Sequence, residues 1–344
     1  MKTTTLPVSR QQFPPWSLSV TRIPDFIALT KPRVMALAVF TAAVAMFTAP
    51  GNLDPMLGAV SLVGIAAGAG AAGVLNMWYD AEIDGVMTRT SRRPIPDGKI
   101  SRPEALGFGL ALAFGAVAVV VLAVNVVTAI LLAFAIFFYI VVYTIWLKRR
   151  TPQNVVIGGA AGALPPVIGW AASTGAIGLE PLVLFLIIFL WTPPHFWALS
   201  LTRTDDYARA GVPMLPVVSG SAATAWQILV YSVLLLPTSV LPCVLGFAGT
   251  LYGATAVVGG VVFIALAARL TGSRGADRRA AQRLFVFSIS YLFLLFTALL
   301  ADHQINRWST TVGARIDHAA AQAERVTCAI RSTDDRTRFT AREN

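Results

Sequence analysis

Nine apolar segments of membrane-crossing length constrain this chain more than anything else in it. They run at about 33–49, 56–76, 105–123, 126–146, 154–173, 180–200, 224–246, 251–270 and 284–301. Each is near the ~20 residues that a helix needs to cross the hydrocarbon core of a bilayer. In that solvent every backbone N–H and C=O must find its partner within the protein, so helices are expected throughout. The third and fourth segments nearly merge, as do the seventh and eighth, which leaves those boundaries soft. A chain that is 56% hydrophobic and only 13% charged excludes a soluble domain. The expected fold class is an all-α membrane protein with nine transmembrane helices, its partner surface the lipid bilayer.

The 27 Lys and Arg residues are distributed unevenly, and that decides the expected orientation. They fall before the first segment, after the second, fourth, sixth and eighth, and in the tail; the loops after the first, third, fifth and seventh hold none. The positive-inside rule then assigns the N-terminus and the even-numbered loops to the cytoplasm. An odd number of spans places the C-terminal tail on the outer side. The net charge of +10 is therefore a topology signal, and no basic domain supports a nucleic-acid partner. Residues 1–24 are read as a short cytoplasmic leader of a bacterial protein, 25–301 as the membrane domain and 302–344 as a flexible polar tail. Cys243 and Cys328 show no metal or redox spacing, and whether they pair is left open.

The chemistry-bearing residues gather at two of the cytoplasmic helix ends. Asn76, Asp80 and Asp84 are spaced four apart and so form a ladder on one helix face, rising roughly 6 Å per step. Arg89, Arg92 and Arg93 follow at once, in a loop fixed by Pro94, Pro96 and Gly98. Carboxylates that share a divalent cation beside guanidinium groups that grip phosphate suggest a magnesium-bound diphosphate. Alone, the same ladder also reads as a polar helix end among lipid headgroups. After the sixth segment, Arg203, Asp205 and Asp206 offer a second acidic cluster, although Asp205 also suits the cap of a short helix. The two clusters lie four spans apart, hinting at a duplicated four-helix unit. Lys148, Arg149 and Arg150, like Lys31 and Arg33, serve either topology or phosphate.

His195 stands apart, because a titratable side chain within a span is costly and often functional. It follows Pro193 and Pro194, which are expected to break the sixth helix and free backbone carbonyls. Ligating haem iron, acting as a base and bonding a freed carbonyl all remain open for it. The small residues of 64–73 and 158–163 suit close helix packing in lipid.

These residues resemble the UbiA-type intramembrane prenyltransferases. The likeness rests on the N-x-x-x-D-x-x-x-D ladder, on the second acidic loop, and on longer strings. These are LTKPR at 29–33, the loop at 87–101, YTIWLKRRTPQN at 143–154, residues 158–170, PPHFW at 193–197, and residues 206–216. The strings match most closely the branch of the family that farnesylates haem b. The resemblance implies nine helices around a central cavity. It implies Mg²⁺ held by Asn76, Asp80, Asp84 and Asp206, all counted catalytic, with Asp205 a weaker match. Arg89, Arg93, Lys148 and Arg203 would bind the diphosphate, and His195 the haem.

The implied reaction ionises farnesyl diphosphate, lets a vinyl group of haem b attack the farnesyl cation, and completes the product with water. Tyr79, Tyr143 and Trp197 are aromatic faces that can stabilise such a cation or simply pack. The implied biological context is haem A synthase and terminal-oxidase assembly. One departure matters: Arg209 and Ala210 stand where many relatives carry another aspartate, so the second motif has fewer carboxylates. Prenylation of a quinone precursor and a transporter are the competing readings. The transporter reading is weakened because the carboxylates sit at helix ends rather than at mid-membrane.

Overall fold

The computed structural model describes residues 22–51 and 54–306. It begins with α1 (Ile23–Leu29), α2 (Pro32–Thr48), α3 (Pro55–Tyr79), α4 (Ala81–Val86) and α5 (Arg102–Ala123). Next, α6 (Val126–Phe137) runs on as a wider π-type helix through Phe138–Leu147. It continues with α7 (Asn154–Ala163), α8 (Pro165–Thr174), α9 (Leu179–Thr202), α10 (Thr204–Arg209) and α11 (Leu215–Val218). The last three are α12 (Gly220–Val244), α13 (Thr250–Gly272) and α14 (Arg278–Asn306). Among the described residues there is no strand.

Each of the nine expected spans is present. Eight are long and apolar enough to cross a membrane, with α7 and α8 together forming one, and the pair α1–α2, bent by 56°, raises the number to nine. The soft boundaries resolve through local chemistry. Asn125 separates α5 from α6 by accepting from the Thr128 amide at 2.8 Å, and its own amide reaches the Ala171 carbonyl at 2.9 Å. Asp54 caps α3 by accepting from the amides of Met56 and Leu57, with Pro55 in the first turn. Ser101 and Glu104 form a reciprocal capping box on α5. Membrane helices need such caps, because an unpaired amide has no water to turn to.

The double proline does not break the sixth span: α9 is continuous through Pro193 and Pro194. The prolines deprive only the carbonyls four residues back of an amide partner. A true break would strand more polar groups in an apolar surrounding, so the helix is kept.

Packing follows from the small residues. A Cβ on Gly64 would lie 2.5 Å from Val120 of α5, and one on Gly169 of α8 would lie 2.0 Å from the Ala42 carbonyl of α2. Glycine at both positions lets the helix axes approach closely. The neighbour pattern repeats with the expected four-span offset: α3 packs on α5 as α9 packs on α12, and α5 on α6 as α12 on α13. The largest core joins α9, α12, α13 and α14 around Trp197, Phe263, Tyr291 and Phe296. Outward-facing apolar residues such as Phe114 and Leu122 remain exposed, as a lipid-facing surface requires. The leader up to residue 21, and the tail from residue 307 with Cys328, lie outside the described residues. The membrane helices themselves begin at Ile23 and extend to Asn306, a few residues beyond the expected boundary at each end.

Candidate active site

Asp80 sits at the C-terminus of α3, where the helix breaks and restarts as α4. It is fully buried. Its Oδ2 accepts from the Asn76 amide at 2.8 Å and forms an ion pair with Lys148, which arrives from the end of the π-type segment. The Asn76 amide also reaches the Thr144 hydroxyl at 3.1 Å, and the Asn76 carbonyl oxygen accepts from Lys31 at 2.7 Å. A π-type turn fits this arrangement: the wider helix lets Thr144 donate to the Tyr139 carbonyl, five residues back, at 2.8 Å. Lys31 occupies the kink between α1 and α2 with φ 54 and ψ 54. That left-handed backbone is rare for a residue with a side chain, and it turns the ammonium group onto Asn76.

Asp84, one turn on and nearly buried, binds Arg93 at 2.6 Å. Thr90 donates to the Asp84 carbonyl at 2.9 Å, which folds the arginine-bearing loop back over α4. The two acidic clusters are joined by Thr88, whose hydroxyl donates to Asp206 Oδ1 at 3.0 Å. Asp206 is also paired with Arg209, and Arg209 in turn reaches Thr88 at 2.9 Å. Burial raises the Asp206 pKa, but the hydrogen bonds from Thr88 and the charges of Arg209 and Arg203 outweigh that and hold it below the ordinary 3.8. Asp205 points elsewhere: its side chain is 78% exposed and pairs with Arg278 at 3.2 Å. Arg89 and Arg203 lie exposed at the same end of the bundle.

Among the described residues, no three His, Cys, Asp or Glu side chains converge as a ready metal cage. The site nevertheless fits a divalent cation at one atom. Asp80 Oδ1 is buried and has no hydrogen-bond partner, a costly state for a carboxylate oxygen. The carboxamide of Asn76 is an oxygen ligand of the kind hard cations take, and the neighbouring cations Lys148, Lys31 and Arg93 compensate the carboxylates.

Two apolar clefts open beside this cluster. One, of about 180 Å³, runs from Lys31 between α2, α3, α6 and α8, and small residues such as Gly68, Ala69 and Gly73 line it. The other, of about 410 Å³, is bounded by Arg33, Tyr143, Trp191, His195 and Phe285. Val34, Ala38, Tyr139 and Gly162 line both, so the clefts adjoin at Tyr139. Tyr143 presses against Gly158, where a Cβ would lie 2.2 Å from its ring. Of the three expected cation-facing aromatics, only Tyr143 lines either cleft. Trp197 is fully buried in the core, and Tyr79 stacks under Arg149 with the guanidinium 5.1 Å from its ring centroid. His195 does not bond a freed carbonyl; its Nδ1 meets the Ser288 hydroxyl at 2.7 Å.

Comparison with known proteins matches the UbiA prenyltransferase family over residues 37–302. The chain belongs to that family. Among curated relatives, the protoheme IX farnesyltransferase of Methylobacterium radiotolerans is 56% identical over 293 residues, covering 85% of this chain and 93% of the relative. Protoheme IX farnesyltransferase 1 of Mesorhizobium japonicum is 57% identical over 297 residues, covering 86% and 96%. The solved structures are more distant and speak to the fold. A digeranylgeranylglyceryl phosphate synthase superposes with a TM-score of 0.68 at 18% identity, covering 82% of this chain and 99% of that one. A UbiA homolog from Archaeoglobus fulgidus, bound to GPP and Mg²⁺, gives 0.56 at 17% identity, covering 80% and 99%. This UbiA chain is thus a multi-pass, all-helical membrane protein with its acidic clusters at one end of the bundle.

Several participants carry no signal strong enough to find in the sequence. Lys31 was visible as a basic residue of the 29–33 string, open to either topology or phosphate, but nothing in the sequence placed it on Asn76. Thr88, Tyr139, Thr144 and Ser288 belong to types too common in loops and membrane helices to stand out.

Proposed function

We propose that this protein transfers the farnesyl group of farnesyl diphosphate to a vinyl group of haem b, adds water, and releases diphosphate. The observation that carries this reading is the orphaned oxygen of Asp80, linked through Asn76 to Lys31, which lines an apolar cleft that adjoins a wider, aromatic one. Relatives at 54–57% identity carry the name protoheme IX farnesyltransferase, which supplies the substrate pair. The narrow cleft beside Lys31 suits an isoprenoid tail, and the wide cleft suits a flat tetrapyrrole, with Arg33 available to a carboxylate of the haem.

Asn76, Asp80, Asp84 and Asp206 would hold Mg²⁺. When bound, it supplies positive charge that favours departure of the diphosphate. Lys148, Arg93, Arg89 and Arg203 contribute the remaining positive charge around the phosphate oxygens. Asp205 would join the metal ligands, as an outer one, only on leaving Arg278. The apolar walls keep bulk water from the farnesyl cation before the vinyl carbon attacks it, and Tyr143 presents a ring face to the same space. The new C–C bond leaves positive charge on the inner vinyl carbon, which one water captures with loss of a proton.

The reading places the chain in a bacterial inner membrane, N-terminus and acidic clusters cytoplasmic and C-terminal tail outside, on the strength of the basic loops. A functional link to haem A synthase and terminal-oxidase assembly follows from the product. The test is competition: purified protein is given farnesyl diphosphate with haem b and a quinone precursor together. Farnesylated haem as the dominant product supports the reading; a prenylated quinone precursor with untouched haem overturns the acceptor assignment.

A further inference from the structure

Ser288 of α14 belongs to none of the motifs above, yet it governs His195, the histidine of α9. Its Oγ lies 2.7 Å from His195 Nδ1 and 2.6 Å from the Phe285 carbonyl oxygen. A hydroxyl has one proton to give, and a carbonyl oxygen can only accept. With that proton on Phe285, Oγ offers His195 nothing but lone pairs, so Nδ1 must donate. The neutral ring then carries its lone pair on Nε2.

The ring's plane is fixed as well. Trp191 stacks on one side with centroids 4.3 Å apart and planes at 17°, and Phe285 stacks at 4.6 Å and 25°. Trp191 is itself tied to the Ser288 carbonyl by its indole N–H at 2.8 Å. One serine thus orients both the histidine and one of its flanking rings. No hydrogen-bond partner for Nε2 occurs among the described residues, and Nε2 is not among the sealed, unpaired polar atoms of the interior. The ring lines the wide cleft.

We propose that Ser288 is a positioning residue that locks the His195 tautomer so that Nε2 coordinates the iron of haem b. The inference rests on haem b being the acceptor. Iron takes a lone pair from an unprotonated ring nitrogen, and a ligating histidine characteristically donates its other N–H to a neighbouring acceptor. Coordination adds a donor bond and needs no oxidant, reductant or proton transfer. It anchors the porphyrin at its centre and leaves the vinyl edge free to react.

The test is a titration of the purified full chain in detergent micelles with haem b and, separately, with iron-free protoporphyrin IX. Visible spectra and binding curves are compared for wild type, His195→Ala, Ser288→Ala and Ser288→Thr. The wild type is expected to give a nitrogen-ligated Soret band. His195→Ala loses that band and about 10-fold to 100-fold in haem affinity, while protoporphyrin IX binding is unchanged, which also shows that the variant is folded. Ser288→Ala loses about tenfold for haem alone, and Ser288→Thr restores it. If Ser288→Ala keeps the wild-type band and affinity while His195→Ala loses both, the role of Ser288 is overturned and the haem ligand stands. Parallel loss of both tetrapyrroles in His195→Ala overturns iron coordination. A wild type that binds neither tetrapyrrole overturns the haem-acceptor reading itself.

Discussion

Lys148 engages one oxygen of the buried Asp80 carboxylate and leaves the other, Oδ1, without a partner. The pair spans 68 residues of sequence and ties the end of the π-type segment that follows α6 to the end of α3. It holds a charge in the interior that would otherwise be prohibitively costly, and it leaves a ligand atom open.

Removing the lysine should therefore expose that cost. Lys148→Met is expected to lower stability by roughly 3 kcal/mol, as when one partner of a buried ion pair is lost. Mg²⁺ should recover part of the loss by taking over the neutralisation of Asp80. Thermal melting in detergent, with Mg²⁺ and with a chelator, reads both effects. A variant as stable as wild type, or one indifferent to Mg²⁺, counts against Asp80 as a cation ligand.

Lys31 holds a left-handed backbone in order to place its ammonium group on Asn76. Lys31→Gly removes the conformational strain and the charge together. The protein should melt no lower than wild type, while KM for farnesyl diphosphate rises about tenfold, the usual worth of one charge-assisted contact. An unchanged KM would show that the ammonium group serves only the kink.

Gly158→Ala forces the Tyr143 ring to move, since the added Cβ would lie 2.2 Å from it. Overpacking of this kind costs about 1–3 kcal/mol, and the displaced ring narrows the wide cleft. Turnover with haem b should fall while binding of farnesyl diphosphate alone is retained, which isothermal titration checks. Equal loss of both would place Tyr143 on the diphosphate side.

Asp206 gives a pH signature. Its folded pKa is depressed below 3.8 by Thr88, Arg209 and Arg203. Its contribution to stability is then fully present above the ordinary carboxylate value and is lost as pH falls through the depressed one. The melting-temperature gap between wild type and Asp206→Asn should stay constant down to about pH 5 and close only below the ordinary value. A gap that closes nearer neutrality would mean that the carboxylate is destabilised in the fold instead.

The spans were legible because lipid leaves the backbone one economical solution, and apolar runs near 20 residues announce it. The Asn76, Asp80, Asp84 ladder was legible because helical spacing alone puts those side chains on one face. Spacing could not say that Pro193 and Pro194 would be absorbed into a continuous α9, since that depends on what surrounds them. Asp205 and Asp206 look equivalent in sequence, yet neighbours on a helix point about 100° apart. One therefore meets Thr88 and the other Arg278. Ser288 was illegible for a different reason: its partner lies 93 residues away, and serine in a membrane helix ordinarily just bonds its own backbone.

The central claim is best tested by incubating membranes containing the full chain with haem b and farnesyl diphosphate, with Mg²⁺ or a chelator, and analysing the haems by liquid chromatography and mass spectrometry. The account predicts a product with the mass of haem plus farnesyl plus water. That product should appear with Mg²⁺, vanish with the chelator, and be absent from Asp80→Ala membranes holding as much protein. The same product with the chelator present, or from Asp80→Ala at the wild-type rate, would contradict it.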